Sequence, residues 1–361
     1  MKAPSRTRVI AGLSGGVDSA VAALLLLEAG YEVQGLFMQN WDDADSHCTA
    51  AQDYQDARAV ARDLGIVLHR VNFEADYRRE VFAQFLEEYR AGRTPNPDVL
   101  CNRQIKFGVC LEYARRLGAE RFATGHYARL AVDASGAQLL KGRDPDKDQS
   151  YFLHQVPRAT FAQVLFPIGD LCKPQVRERA RLAGLAVADK PDSTGICFIG
   201  ERPFADFLAQ YLPETPGLIE SLQGLALGTH RGLPFYTLGQ RGGIGVGGAR
   251  GAAAEPWYVA RKDARRNVLV LAQRHELDTL ACPALRTAPM NWLTQPPAGE
   301  FAATVKIRYR QPDQDCRVQV QANGSVELHF ALPQRAVTPG QYAVLYRADL
   351  CLGGGVITET L

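Results

Sequence analysis

At 361 residues the chain exceeds what a single hydrophobic core usually organises, so two or three folding units are expected. Its 46% hydrophobic and 22% charged residues, with 33 glycines and 20 prolines dispersed along the chain, exclude the disordered and fibrous classes. The formal net charge of +2 leaves a nucleic-acid partner open, because a local basic face is invisible in a balanced total.

The first third alternates short apolar runs with longer helical patterns, the mark of an α/β unit with a parallel sheet. Arg8 to Leu13 reads as a strand, Ser14-Gly15-Gly16-Val17-Asp18-Ser19 as a loop opening a helix that runs to about Ala29, and Glu32 to Met38 as the next strand. The apolar run Ala20 to Leu27 falls short of the roughly 20 residues that a membrane span needs and reads as buried helix. The first eight residues lack the hydrophobic stretch of a secretory signal, so a cytoplasmic protein without membrane attachment is expected.

A helix over about 51–64, a strand over 67–72 and a helix over 76–90 continue the pattern. Between Gly92 and Phe107 the prolines at 95 and 97 predict irregular structure, with Asp98 and Cys101 in that loop. A further helix covers about 107–117, and a strand at 121–124 delivers Gly125-His126-Tyr127-Ala128-Arg129 to its C-terminal end, where ligands of open α/β sheets bind. The segment 217–273 is glycine-rich, and Gly239 to Gly248 reads as structural turns. From about His275 short alternating strands predict a small β-barrel, with Val305, Ile307 and Tyr309 on the core side of one strand and Lys306, Arg308 and Arg310 on its outer, basic face. The expected fold is therefore an α/β, Rossmann-like parallel-sheet domain (1–204), a small central domain (205–274) and a C-terminal β-barrel (275–361).

Eight cysteines (48, 101, 110, 172, 197, 282, 316 and 351) are scattered without a C-x-x-C pair, so thiols rather than a zinc site are expected. Cys101, near Arg103 and Lys106, and Cys197, in the turn after Asp192-Ser193, stand out as cysteines of exposed, motif-bearing loops. Each is open to two readings, a reactive thiol or a small buried hydrophobe.

The strand-to-helix loop at 14–19 can hold an anion with its backbone N–H groups and the positive end of the helix dipole, and no Gly-Lys-Ser/Thr follows to make it a Walker loop. It resembles the SGGxDS loop of the PP-loop ATP pyrophosphatases, which grip the pyrophosphate of ATP, activate a substrate as an adenylate and tie the loop aspartate to magnesium. Asn96-Pro97-Asp98-Val99-Leu100-Cys101-Asn102, Thr124 to Arg129, Lys147 to Leu153, Gly195-Ile196-Cys197-Phe198-Ile199-Gly200 and Gly239-Gln240-Arg241 resemble, in order, the tRNA-uridine 2-sulfurtransferases, or tRNA-specific 2-thiouridylases.

That resemblance implies ATP-dependent 2-thiolation of the wobble uridine, position 34, in the anticodon loop of tRNA, with Mg2+ as accompanying ion. It implies ATP binding by Gly12, Leu13, Ser14, Gly15, Gly16, Val17, Asp18 and Ser19 with Met38 and Gly125, and Asp18 as the magnesium residue. Asn96, Pro97 and Asp98 face the target base, and Asp98 either moves a proton or orients the base. Cys101 is the nucleophile, Cys197 carries the persulfide, and the two form a transient disulfide. His126, Lys147, Asp148, Gln149, Arg308, Tyr309 and Gln341 lie around the tRNA. A sulfur-donor protein, a relay protein or a cysteine desulfurase, is a further implied partner. Two rival readings are a PP-loop amidotransferase or ligase, for which no glutaminase unit is visible, and a non-catalytic RNA-binding protein.

Overall fold

A computed structural model describes residues 7–41, 50–134, 136–192, 203–246, 255–297 and 299–361. The first domain is built on five parallel strands: β1 (Arg8–Gly12), β2 (Glu32–Gln39), β3 (Leu68–Asn72), β4 (Arg121–Ala123) and, beyond the hairpin β5 (Ala128–Asp133) and β6 (Gly136–Lys141), the short β7 (Val164–Leu165). Their order is β3-β2-β1-β4-β7, every pair parallel. Side-chain alternation sends Val9, Ala11, Val33 and Phe37 to one face, where they pack with α1 (Val17–Glu28), α2 (Ala50–Asp63) and the helix Lys173–Leu182. Ile10, Leu36 and Phe122 go to the other face, against the helices spanning 74–90 (α3) and 97–116 (α4). Both faces are thus covered, as a parallel sheet requires. The chain leaves β1 toward β2 and β3 and returns on its other side at β4, which opens a crevice at the C-terminal ends of these strands.

The segment expected to be irregular is helical from Pro97 onward. A proline in the first turn lacks only an N–H that would have no partner there, and its fixed φ suits a helix start; Asn96, extended at φ −119°, precedes it. The helix widens to π geometry over Cys101–Val109 and bends at Gly108 (φ −104°, ψ −106°). Cys101 therefore lies on a helix, 4% exposed, and not in an exposed loop.

The central domain carries the sheet β10-β11-β8-β9, formed by β8 (Gly217–Ser221), β9 (Ala226–His230), β10 (Trp257–Asp263) and β11 (Val268–Gln273). The C-terminal domain closes six antiparallel strands, β12 (Cys282–Thr287), β14 (Glu300–Lys306), β15 (Gln314–Val320), β16 (Val326–Gln334), β17 (Tyr342–Arg347) and β18 (Leu350–Thr360), with the short β13 (Asn291–Trp292) on β18. The hairpin β5–β6 of the first domain joins this sheet at Leu140 opposite Leu350, so the two domains share one sheet.

Strand β14 ends at Lys306, so Arg308 to Arg310 lie beyond it, and Lys306 is buried instead of presenting a basic face. Its ammonium lies 3.5 Å from Asp148 and 3.9 Å from Asp313, because the first domain covers that side of the strand. Among the described residues no helix is long and apolar enough to cross a membrane.

Candidate active site

The loop between β1 and α1 folds on itself: Ser14 N–H donates to Ser19 Oγ (3.1 Å), and that hydroxyl donates to Gly16 O (3.0 Å). Two glycines make the packing around it. Gly15, at φ +79°, backs onto α2 so closely that a Cβ would lie 2.2 Å from Asp53 O. Gly125, just beyond β4, lies flush on the first turn of α1, and a Cβ there would meet Ser19 N at 2.7 Å. Gly12 to Ser19, Met38 at the end of β2 and Gly125 thus gather at the C-terminal edge of the sheet around one helix N-terminus, an arrangement with the geometry to accept an anion.

Asp18, in the first turn of α1, accepts hydrogen bonds from Tyr127 Oη (2.7 Å) and from Lys173 Nζ, which lies 2.8 Å from both carboxylate oxygens. Lys173 also pairs with Asp192 (2.7 Å), which receives Lys147 (2.7 Å) and Arg177 (2.9 Å) as well. Burial works to raise the Asp192 carboxyl, but the bonds from Lys147 and Lys173 outweigh it and hold it below its ordinary value. Lys190 donates to Gly15 O (3.0 Å) and to Asp53 (2.7 Å), clamping the loop from behind. Asp18 is the one carboxylate in the phosphate loop, and no group of three or more His, Cys, Asp or Glu side chains suited to a metal occurs among the described residues. A single carboxylate fits a magnesium ion that takes its other ligands from phosphates and water.

Helix α4 brings the second half of the site. Asp98 and Cys101 stand in its first two turns, and burial raises the Asp98 carboxyl, with the charge of Lys106 holding part of that rise back. Arg103 reaches Gln155 (3.3 Å), while Lys106 Nζ faces His126 Nε2 at 3.5 Å. An ammonium has only protons to offer, so Nε2 is the acceptor and Nδ1–H donates to Thr124 Oγ1 (2.7 Å). Burial and the Lys106 charge together push the imidazole well below its usual range, so it is neutral. Lys106 therefore ties the cysteine-bearing helix to the same post-β4 loop that places Gly125 on α1.

The residues implied to surround tRNA are dispersed over the junction with the barrel. Lys147 pairs with Asp192. Asp148 is buried and accepts from Gly142 N–H (2.9 Å) and Ser150 Oγ (3.0 Å), and Gln149 Oε1 accepts from Tyr127 N–H (3.0 Å). Tyr309 packs on Phe152 with ring centroids 4.4 Å apart. Arg308 donates to Leu238 O (3.0 Å) and Ala336 O (2.9 Å), and Gln341 donates to Thr94 O (2.8 Å) and Pro95 O (3.2 Å) at the entry to Asn96. A groove of about 990 Å³ runs between the β5–β6 hairpin and the 308–313 turn, lined by Arg143, Tyr309 and Arg310 and by cations paired with aspartates, such as Lys141 with Asp313. Cys197 lies outside the described residues, as do Gly247 and Gly248 of the glycine-rich turns.

Lys173 and Lys190 were not expected. Lys173 did carry a signal: a lysine opening a helix sits against the positive end of the dipole, a placement that needs a carboxylate partner from elsewhere.

Comparison with known proteins accounts for nearly the whole chain. Residues 7–201 match the family model described as tRNA methyl transferase HUP domain, 205–273 the tRNA methyl transferase PRC-barrel domain, and 283–357 the aminomethyltransferase beta-barrel domain. A protein of Chromohalobacter salexigens named tRNA-specific 2-thiouridylase MnmA is 56% identical over 361 residues, covering 99% of this chain and 94% of that one. Proteins of the same name from Methylococcus capsulatus (55% identical, covering 98% and 97%) and Geobacillus thermodenitrificans (52%, covering 99% and 96%) are similar throughout. The first domain, its phosphate loop and the two barrels that follow are those of one family: the chain belongs to the tRNA-specific 2-thiouridylases.

Proposed function

We propose that the chain replaces the C2 oxygen of the wobble uridine of tRNA with sulfur in an ATP-dependent reaction, giving 2-thiouridine, AMP and pyrophosphate. The observation that carries this reading is the convergence, through Lys106, His126 and Gly125, of a phosphate-holding loop and a helix bearing Cys101 and Asp98. The family models are named for methyl transfer, but the relatives matched over 94% or more of their length are named for thiolation. A loop shaped for an anion, linked through Lys106, His126 and Gly125 to a helix that bears a thiol, suits the second chemistry.

A uracil carbonyl oxygen is a poor leaving group. The loop Gly12–Ser19, with Met38 and Gly125, holds ATP so that O2 of the base attacks the α-phosphorus and pyrophosphate leaves, with loop N–H groups meeting the developing charge. Asp18 would hold a magnesium ion, which would supply neutralisation of phosphate charge. Asn96, Pro97 and Asp98 face the base; Asp98, as the carboxylate, accepts the uracil N3 proton or orients the ring. The terminal sulfur of a persulfide on Cys197 attacks C2 and AMP departs. The Cys101 thiolate then attacks the Cys197 sulfur, breaking the S–S bond and leaving 2-thiouridine with a Cys101–Cys197 disulfide, which an external thiol reduces. Release of hydrosulfide by Cys101, followed by its attack on C2, has the same balance. A sulfur-donor protein in the cytoplasm reloads Cys197.

His126, Lys147, Asp148, Gln149, Arg308, Tyr309 and Gln341 form or support the tRNA surface, and Arg143 and Arg310 of the neighbouring groove take its phosphates. Reaching the base requires a loop nucleotide to leave its stack, which is cheapest in a single-stranded anticodon loop. Nucleoside mass spectrometry after incubation with ATP, sulfide and unmodified tRNA tests the reading. Wild type yields 2-thiouridine; with a persulfide donor, Cys101→Ser and Cys197→Ser yield none. Retention of product in both variants defeats the two-thiol mechanism.

A further inference from the structure

Two separate routes run from Asp18 of the phosphate loop to the segment Lys147–Gln149. One is a chain of ion pairs: Asp18 to Lys173 (2.8 Å), Lys173 to Asp192 (2.7 Å), Asp192 to Lys147 (2.7 Å). The other is a frame of hydrogen bonds: Tyr127 Oη to Asp18 (2.7 Å), Tyr127 N–H to Gln149 Oε1 (3.0 Å), and Gln149 N–H back to Tyr127 O (2.8 Å). Each route has a shielded centre, the side chain of Lys173 being 11% exposed and Tyr127 2% exposed, while Asp18, Asp192 and Lys147 are about a third exposed and open to an incoming phosphate.

We propose that Asp192 and Tyr127 are positioning residues that couple RNA engagement at Lys147–Gln149 to nucleotide binding at the Asp18 loop. The proposal rests on the reading that the chain binds both tRNA and ATP. Asp192 is shared by three cations from two elements, Lys147 on one side and Lys173 and Arg177 on the other. A phosphate that engages Lys147 changes how the Asp192 charge is divided among them, and hence where Lys173 sits relative to Asp18. Gln149 held by RNA likewise fixes the Tyr127 backbone and, through its hydroxyl, the Asp18 carboxylate. Each ligand orders the same frame, so the second to bind meets it already ordered, and the coupling is positive and reciprocal. Adenylation in an enzyme so built waits for the base.

Equilibrium binding tests this. The Kd of an ATP analogue that cannot be cleaved between its α and β phosphorus atoms is measured with and without saturating unmodified tRNA, and the Kd of tRNA with and without the analogue. Wild type is expected to show the same tightening in both directions, about fivefold or more. In Asp192→Asn and in Tyr127→Phe, which deletes a single hydroxyl and preserves the ring, each ligand alone binds within about threefold of wild type, and the tightening falls at least threefold. Unchanged tightening in both variants, or none in wild type although both ligands bind, overturns the proposal. If wild type binds neither ligand, the functional reading fails first and the proposal with it.

Discussion

Lys106 Nζ faces His126 Nε2 at 3.5 Å, which fixes the imidazole as a neutral ring with its proton turned to Thr124, and the same charge acts on Asp98 about two turns earlier. Burial raises the Asp98 carboxyl and Lys106 opposes that rise. Where the carboxylate is the working form, Lys106→Met is expected to move the acid limb of the thiolation rate to higher pH. A pH–rate profile of variant and wild type checks it, and an unmoved acid limb removes Asp98 from the reacting groups.

Gly125 is the point where β4 meets the first turn of α1. A methyl group there must displace the backbone of Ser19 or Asp18, since the contacts would be 2.7 and 2.8 Å. Gly125→Ala is expected to weaken ATP binding by roughly tenfold or more, equivalent to about 1.4 kcal/mol. Titration of the nucleotide in the absence of tRNA measures this, and wild-type affinity would show that the close approach has no role in shaping the loop.

The phosphate loop was legible in sequence because its determinants are local: a strand, two glycines and a helix within a dozen residues. Helix α4 was not, because Pro95 and Pro97 read as breakers when Pro97 in fact occupies the helix position that tolerates it. The buried set Val99, Leu100, Ile105 and Cys110 carries a helical face that outweighed the prolines. The alternation around Val305 and Ile307 correctly named the barrel core, but the fate of Lys306 depended on Asp148, far away in the chain. The Asp18–Lys173–Asp192–Lys147 relay was hidden for the same reason, since each link joins segments distant in sequence.

His154 lies fully buried between the turn 150–153 and the barrel, donating from Nδ1 to Tyr151 O (2.5 Å), its ring 4.8 Å from that of Tyr342. Burial, only partly opposed by that hydrogen bond, holds its pKa down at about 4 against an ordinary 6.5. The unfolded chain thus takes up a proton below about pH 6.5 that the folded chain refuses until about pH 4. Stability present above 6.5 is lost as pH falls through that window, to a limit of about 3 kcal/mol. His154→Leu should flatten the dependence there. Denaturant unfolding at pH 7 and pH 5 compares the two, and equal slopes would place the acid sensitivity elsewhere.

Lys262 reports on the junction of all three domains. It stands on β10 of the central domain and donates to Gly92 O of the first (3.3 Å), beside a cavity of about 590 Å³ lined also by Arg308 and Arg335 of the barrel. Burial lowers its ammonium to about 8 from an ordinary 10.5. Between those values the unfolded chain binds more protons than the folded one, so stability rises with pH across the window and the full penalty of a buried charge applies below pH 8. Lys262→Met removes that penalty together with one hydrogen bond, and a net gain on the order of 1 kcal/mol at pH 7 is expected, vanishing by about pH 10. Thermal unfolding of both proteins at the two pH values measures it. A variant less stable at pH 7 would mean that the bond to Gly92 holds the domains together more strongly than burial of the charge drives them apart.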